Sequence, residues 1–194
     1  VWGEVVSGNY FDVLGVPAYQ GRTFTAEEDE VPNRNPVVVI SESLWQRRFN
    51  SDPSLVGQTI TLNSKQLTVV GIAPSQFTGM IRGLASDIWV PAMISPALDP
   101  ATGEGRVTSR GNSWLILVGR FKPGATLDQA RARFDLLSKE MQANYPNEWT
   151  EKKGNSVRPR VVSVLPESET RVHPQMTESI YAAAALLFVI VNLV

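Results

Sequence analysis

The hydrophobic pattern of this chain changes sharply at its C-terminal end. Residues 180–194 read IYAAAALLFVIVNLV, with no charged side chain and with Asn192 as the strongly polar exception. A bilayer-spanning helix needs roughly 20 apolar residues, whereas a helix packed on a protein surface keeps one polar face. We therefore interpret 176–194 as the start of a transmembrane helix that is truncated by the end of the sequence. The alternative is a C-terminal core helix.

The rest of the chain alternates between strand-like and helix-like patterns. Apolar or β-branched runs predict strands at 1–6, 36–41, 87–90, 113–121 and 157–166, and a hairpin at 57–72 with its turn at 63–65. Helices are predicted at 10–14, 42–50 and 126–145, the last with the capping-box pair Thr126 and Gln129. A further capping-box spacing joins Thr25 to Glu28. This order of elements predicts an α+β fold with small mixed sheets and helices on one face.

Composition narrows the possible functions. The chain has 194 residues, of which 43% are hydrophobic and 19% charged, and its net charge is −1, so it lacks the basic excess of a nucleic-acid-binding protein. It contains no cysteine, which excludes a disulfide scaffold, thiol catalysis and cysteine-ligated zinc. It opens at Val1 without an initiator methionine or a signal-like stretch, and we expect a fragment at both ends.

Few residues suggest catalysis. His173 is the single histidine, and no GxSxG motif supplies a nucleophilic serine, so a histidine-based hydrolase is a weak alternative. Asp87 is the one acid at the start of an apolar strand. We predict no catalytic, cofactor-binding or metal-binding residue.

Three other features have both a functional and a structural interpretation. The acidic cluster 27–30 could bind a cation, but a solvated helix start explains it more simply. Arg47 and Arg48 could bind phosphate or form the solvent-exposed face of a short helix. Trp149 could contact a partner or pack in the core. The polar, small-residue segment 95–113 predicts a mobile loop.

Four sequence blocks, taken together, resemble a known family. VSGNYFDVLGVPAYQGRTFT, PVVVISESLWQRRF, VGQTITLN and VVGIAPSQFTG are similar, in this order and spacing, to the MacB-like periplasmic core domain of ABC-transporter permeases, an FtsX-related family. The resemblance covers most of 1–175. It implies a porter-like part, assigned to 1–35 and 112–175, and an inserted sabre-like part, assigned to 36–111.

The resemblance also implies a function. Such a domain is expected on the periplasmic or extracellular side of a bacterial inner membrane, transmitting ATP-driven motion for efflux or export. The expected partners are a membrane, a cytoplasmic ABC ATPase, a second copy of the permease and a periplasmic adaptor or peptide. ATP hydrolysis would belong to a separate domain or subunit. The alternative is a ligand- or adaptor-binding sensory domain that acts through 95–113.

Overall fold

The computed structural model describes residues 1–81, 83–109, 112, 114–153 and 156–170. Within this part, the strands are β1 (Gly3–Val6), β2 (Gln20–Gly21), β3 (Val37–Ser41), β4 (Thr59–Leu62), β5 (Lys65–Ala73), β6 (Ile88–Pro91), β7 (Thr150–Lys153) and β8 (Ser156–Pro159). The α-helices are α1 (Tyr10–Leu14), α2 (Glu42–Phe49), α3 (Ser95–Leu98), α4 (Gly103–Thr108), α5 (Leu127–Asn144) and α6 (Glu167–Thr170). Short 3₁₀ helices cover Ala26–Asp29, Pro53–Leu55 and Ala92–Ile94. The presence of both strands and helices confirms the α+β class.

The first six strands form one mixed sheet in the order β1-β6-β3-β5-β2, with β4 also paired to β5. β1 runs parallel to β6, and β3 runs parallel to β5. β3 is antiparallel to β6, and both β2 and β4 are antiparallel to β5. β1 therefore lies at one edge of the sheet and β3 lies near its middle.

The central strand is covered on both faces. Every residue of β3 is buried, and alternate residues join two different apolar clusters. Val38 and Ile40 pack with Leu44 and Trp45 of α2 on one face. Val37 and Val39 pack on the other face with the aromatic cluster that contains Phe11 of α1. The prediction of helices on one face is thus wrong, because a strand with apolar residues at every position needs a cover on both sides.

Several local predictions are confirmed. Ser41 caps α2, since its hydroxyl accepts a hydrogen bond from the Leu44 N–H at 3.0 Å. Gly15 ends α1 in the left-handed conformation with φ of 70°. Asn63 and Ser64 have φ of 46° and 63°, the positive angles that a two-residue hairpin turn requires. The capping boxes at Thr25 and Thr126 are both formed.

Other local predictions are corrected. The sequence predicts a buried strand at 113–121, yet the described residues 114–121 belong to no strand, and the side chains of Leu115, Ile116 and Leu117 are exposed. The expected strand at 157–166 is reduced to β8, which pairs with β7 in a separate hairpin. The segment 95–113, predicted to be a mobile loop, contains the helices α3 and α4. An apolar run indicates that a segment favours burial. The local pattern does not indicate which other segment of the chain covers it.

Two predictions concern the chain as a whole, namely its division into two parts and its C-terminal membrane helix. Strands from 1–35 and from 36–111 share the six-stranded sheet, and the division into porter-like and sabre-like parts stays a prediction. The apolar run 180–194 lies outside the described residues. Within the described ranges, no helix is both long enough and apolar enough to cross a bilayer.

Candidate functional site

Polar side chains with long-range hydrogen bonds surround β1 at the edge of the sheet. The Glu4 carboxylate accepts a hydrogen bond from the Tyr10 hydroxyl at 3.1 Å and another from the Ser86 hydroxyl. It therefore connects β1 to α1 and to the end of the segment between β5 and β6. Gly79 of that segment lies so close that a Cβ there would overlap Glu4 Oε1, and its φ is +99°. We call the set Glu4, Tyr10, Gly79 and Ser86 the Glu4 clasp.

A second connection lies next to the Glu4 clasp. Asp87 accepts hydrogen bonds from the Trp2 N–H at 3.2 Å and from the Arg47 guanidinium at 2.6 Å. The Asp87 N–H in turn donates to the Trp2 carbonyl at 2.8 Å. The start of β1 is thereby tied to the start of β6 and to α2. Arg47, a possible phosphate ligand by sequence, is instead paired with the acid that begins a strand.

The Tyr10 ring joins the polar clasp to the aromatic core. Its centroid lies 5.3 Å from that of Phe11 and 6.2 Å from that of Phe77. Burial raises the pKa of the Tyr10 hydroxyl, and the negative charge and hydrogen bond of Glu4 raise this pKa further. Tyr10 therefore remains a hydrogen-bond donor at neutral pH.

An open cavity of about 210 Å³ lies between α2 and the segment that precedes β6. Its charged lining groups already have partners: Glu42 accepts from the Ser75 N–H at 2.9 Å, and Arg47 binds Asp87. The hydroxyls of Ser41 and Ser86 are also engaged. The charged side chains that line the cavity are therefore all bonded to other groups of the protein.

The acidic cluster 27–30 stabilises loops. Glu28 forms an ion pair with Arg22 at 2.7 Å, and hydrogen bonding to this guanidinium lowers the pKa of Glu28. Asp29 accepts from the N–H groups of Gly8 and Met93, each at 2.9 Å. Among the described residues, no group of acidic or histidine side chains is arranged to bind a metal ion. His173 lies outside the described residues.

The second half of the described chain carries exposed apolar side chains. They lie on 114–121, on α5 and after β7, and they are Leu115, Ile116, Leu117, Val118, Phe121, Leu136, Leu137, Val157, Val161 and Leu165. Arg120 connects this half to the sheet, since its guanidinium donates to the Val13 carbonyl at the end of α1 over 3.1 and 3.3 Å. Trp149, a possible partner contact by sequence, is half-buried.

The sequence matches the family described as the MacB-like periplasmic core domain over residues 1–137, which include the whole six-stranded sheet. The chain belongs to this family. The resemblance stated from the four sequence blocks is thereby confirmed.

Individual relatives are similar over shorter lengths. The macrolide export ATP-binding/permease protein MacB of Aggregatibacter actinomycetemcomitans is 34% identical over 104 residues, which is 54% of this chain and 15% of that protein. MacB of Escherichia coli K12 is 30% identical over 132 residues, or 68% of this chain and 18% of that protein. The matched region thus spans less than a fifth of these relatives.

Two solved structures are also similar. The periplasmic region of MacB from Actinobacillus actinomycetemcomitans aligns with 73% of this chain and 56% of its own, at 20% identity and a TM-score of 0.48. The extracellular domain of the ABC-type transporter YknZ from Gram-positive bacteria aligns with 74% of this chain and 64% of its own, at 17% identity and a TM-score of 0.45.

Proposed function

We propose that this chain is the periplasmic domain of an ABC-type permease and that it transmits ATP-driven conformational change across the membrane for efflux or export. The observation that carries the proposal is the family match over residues 1–137. The names of the relatives in Aggregatibacter and Escherichia, macrolide export ATP-binding/permease proteins, support the same class of activity.

The body of the domain has the mechanical properties that this role needs. The sheet is buried on both faces. Because packed interiors have low compressibility, we expect the sheet to move as one unit. β1 is fixed to this unit through Glu4 and Asp87. A displacement applied to β1 would therefore move the whole sheet.

The remaining parts of the proposal concern the protein to which this chain belongs. Residues 176–194 begin a transmembrane helix of an inner-membrane protein. The permease works as a homodimer with a cytoplasmic ABC ATPase, and a periplasmic adaptor or peptide is a further partner. The domain itself is non-enzymatic, binds no cofactor, and leaves ATP hydrolysis to the ATPase domain or subunit.

A flexible insertion in the full-length permease tests mechanical coupling. Six Gly/Ser residues placed after Pro174 form a flexible chain that does not transmit force between the domain and the apolar run. We expect ATP hydrolysis to continue and substrate export to fall to the level of a strain without the transporter. Export and ATPase activity are measured on the same membranes.

The matched control places the same six residues between Ser64 and Lys65, at the tip of the β4–β5 hairpin. This turn is exposed and joins two strands of the sheet, so the insertion leaves the chain between residue 170 and the apolar run unchanged, and we expect export to persist. Export that is unchanged by the insertion after Pro174 would overturn the mechanical proposal.

A further inference from the structure

β4 has an open side along which its backbone can bind another strand. Its one strand partner in the described part of the chain is β5. The Val69 N–H donates to the Gln58 carbonyl at 2.9 Å, so the backbone of Gln58 faces β5. Backbone groups that face the partner alternate along an antiparallel strand. The N–H and C=O groups of Thr59 and Thr61 therefore point away from β5, towards the open side.

β4 lacks the features that usually protect the edge of a sheet. Natural edges are protected by charged side chains, by proline, by bulges or by very short strands. β2 has two residues, and β1 carries Glu4 near its middle. β4 has the sequence TITL, without charge or proline, and it pairs regularly with β5 over all four residues. Such a strand favours pairing with another extended segment.

The side chains of β4 fit a second copy of the same strand. Thr59 and Thr61 are exposed, whereas Ile60 is half-buried and packs against the core cluster that contains Leu67. In an antiparallel pair centred on Ile60, Thr59 lies opposite Thr61 of the second copy, and both residues have outward backbone groups. The two threonine pairs then form four hydrogen bonds. Opposite threonines are favourable cross-strand neighbours, and no charged side chains of β4 meet.

We propose that β4 pairs with β4 of a second copy about a two-fold axis at Ile60, so that two six-stranded sheets join into one. The inference rests on the homodimer of the proposed function and assigns the surface through which its two domains meet. Four residues from each copy bury far less than the roughly 1,200 Å² of a stable independent interface. Anchoring of both copies in one permease dimer supplies the high effective concentration at which so small a contact forms.

Cysteine cross-linking in the full-length permease in membranes gives the first test. Residues 1–194 contain no cysteine, and any cysteine elsewhere in the permease is replaced. The two copies of residue 60 form a non-hydrogen-bonded pair with Cα atoms about 4.5 Å apart, within the range of about 4.4–6.8 Å that a disulfide needs. We expect Ile60→Cys to give a disulfide-linked dimer under mild oxidation.

Gln66→Cys is the matched control for this cross-link. Gln66 is exposed and lies opposite Thr61 on β5, one strand further from the proposed axis. Its two copies would be separated by three strand spacings, at least about 14 Å, so we expect no dimer. Equal amounts of dimer from Ile60→Cys and Gln66→Cys would overturn the proposal.

A second cross-link uses exposed positions, so that the core is left intact. Thr59→Cys and Thr61→Cys are expressed together in one cell, and we expect a disulfide between them. We expect loss of this dimer when either variant is expressed alone, because identical positions then lie on the diagonal, about 7–8 Å apart. As much dimer from one variant alone as from the mixture would contradict the proposed register.

A charge on the edge tests whether the contact depends on β4, with Ile60→Cys as the reporter. Lysine on an edge strand opposes pairing, so we expect Thr61→Lys to remove most of the dimer and Gln66→Lys, which adds the same charge on β5, to preserve it. Equal dimer in both would overturn the proposal. Co-purification of two differently tagged copies measures the homodimer separately. Copies that co-purify without a cross-link at residue 60 would overturn this inference and leave the homodimer of the proposed function intact.

Discussion

The Glu4 carboxylate joins β1 to α1 and to the end of the segment that precedes β6. Its partners Tyr10 and Ser86 lie 6 and 82 residues away. Both hydroxyls are partly or fully withdrawn from solvent, so each depends on this acceptor. A charged residue inside the strand GEVV is the one local signal of this role, because a strand at this position otherwise favours apolar side chains.

Replacing Glu4 by alanine should destabilise the domain. The hydroxyls of Tyr10 and Ser86 would lose their acceptor, and a buried polar group without a partner costs about 1–3 kcal/mol. We expect the free energy of unfolding to fall by about that amount in urea titrations, and by less in Glu4→Gln, which keeps an acceptor oxygen. Glu30→Ala, at an exposed position, is the control and should change stability by less than about 0.5 kcal/mol. Equal stability of Glu4→Ala and Glu30→Ala would show that the clasp contributes nothing.

At the scale of elements, β2 approaches β5 through two glycines. Gly21 and Gly71 face each other in the register, and a Cβ on Gly71 would overlap the Arg22 carbonyl oxygen. The Arg22 N–H donates to the Val70 carbonyl at 2.9 Å, which fixes this close approach. Glycine is required at position 71 because no side chain fits between the two backbones.

Gly71→Ala should therefore weaken the pairing of β2 with β5. The added methyl group forces the backbones apart, and we expect a loss of about 1–3 kcal/mol in the free energy of unfolding. Gly105→Ala is the matched control: Gly105 lies in α4 with open space around its Cα, so alanine should stabilise the helix by about 0.5–1 kcal/mol. Thermal unfolding followed by circular dichroism measures both. If Gly71→Ala leaves the free energy of unfolding unchanged, β2 can move away from β5 without destabilising the domain.

The same elements show what the sequence could predict. β3, the β4–β5 hairpin and the caps at Ser41 and Gly15 depend on residues within a few positions of each other, so local pattern predicts them. The pairing of β1 with β6 joins residues 85 positions apart, and no periodicity indicates it. The apolar pattern of 113–121 predicts burial, but burial requires a second segment that covers it, and local pattern does not specify that segment; Leu115, Ile116 and Leu117 are exposed.

At the scale of the whole molecule, the proposed function requires that motion pass between the sheet and the half of the chain that leads to residue 170. The Arg120 guanidinium provides a direct contact through the Val13 carbonyl of α1. Arg131 makes a similar bond to the Val164 carbonyl at 3.1 Å, but both of its ends lie within the second half. The two arginines thus offer a matched pair of contacts, one between the halves and one inside a half.

Arg120→Ala in the full-length permease should reduce coupling, whereas Arg131→Ala should preserve it. Loss of an exposed charged hydrogen bond is worth about 1 kcal/mol, which lowers the equilibrium constant for the joined arrangement about fivefold. If the proposed function holds, export falls by up to about this factor in Arg120→Ala while ATP hydrolysis continues. Both rates are measured on the same membrane preparations, after expression of each variant has been matched. If both substitutions lower export equally, the loss would come from destabilising the second half of the chain. The contact between Arg120 and Val13 would then have no specific role in coupling.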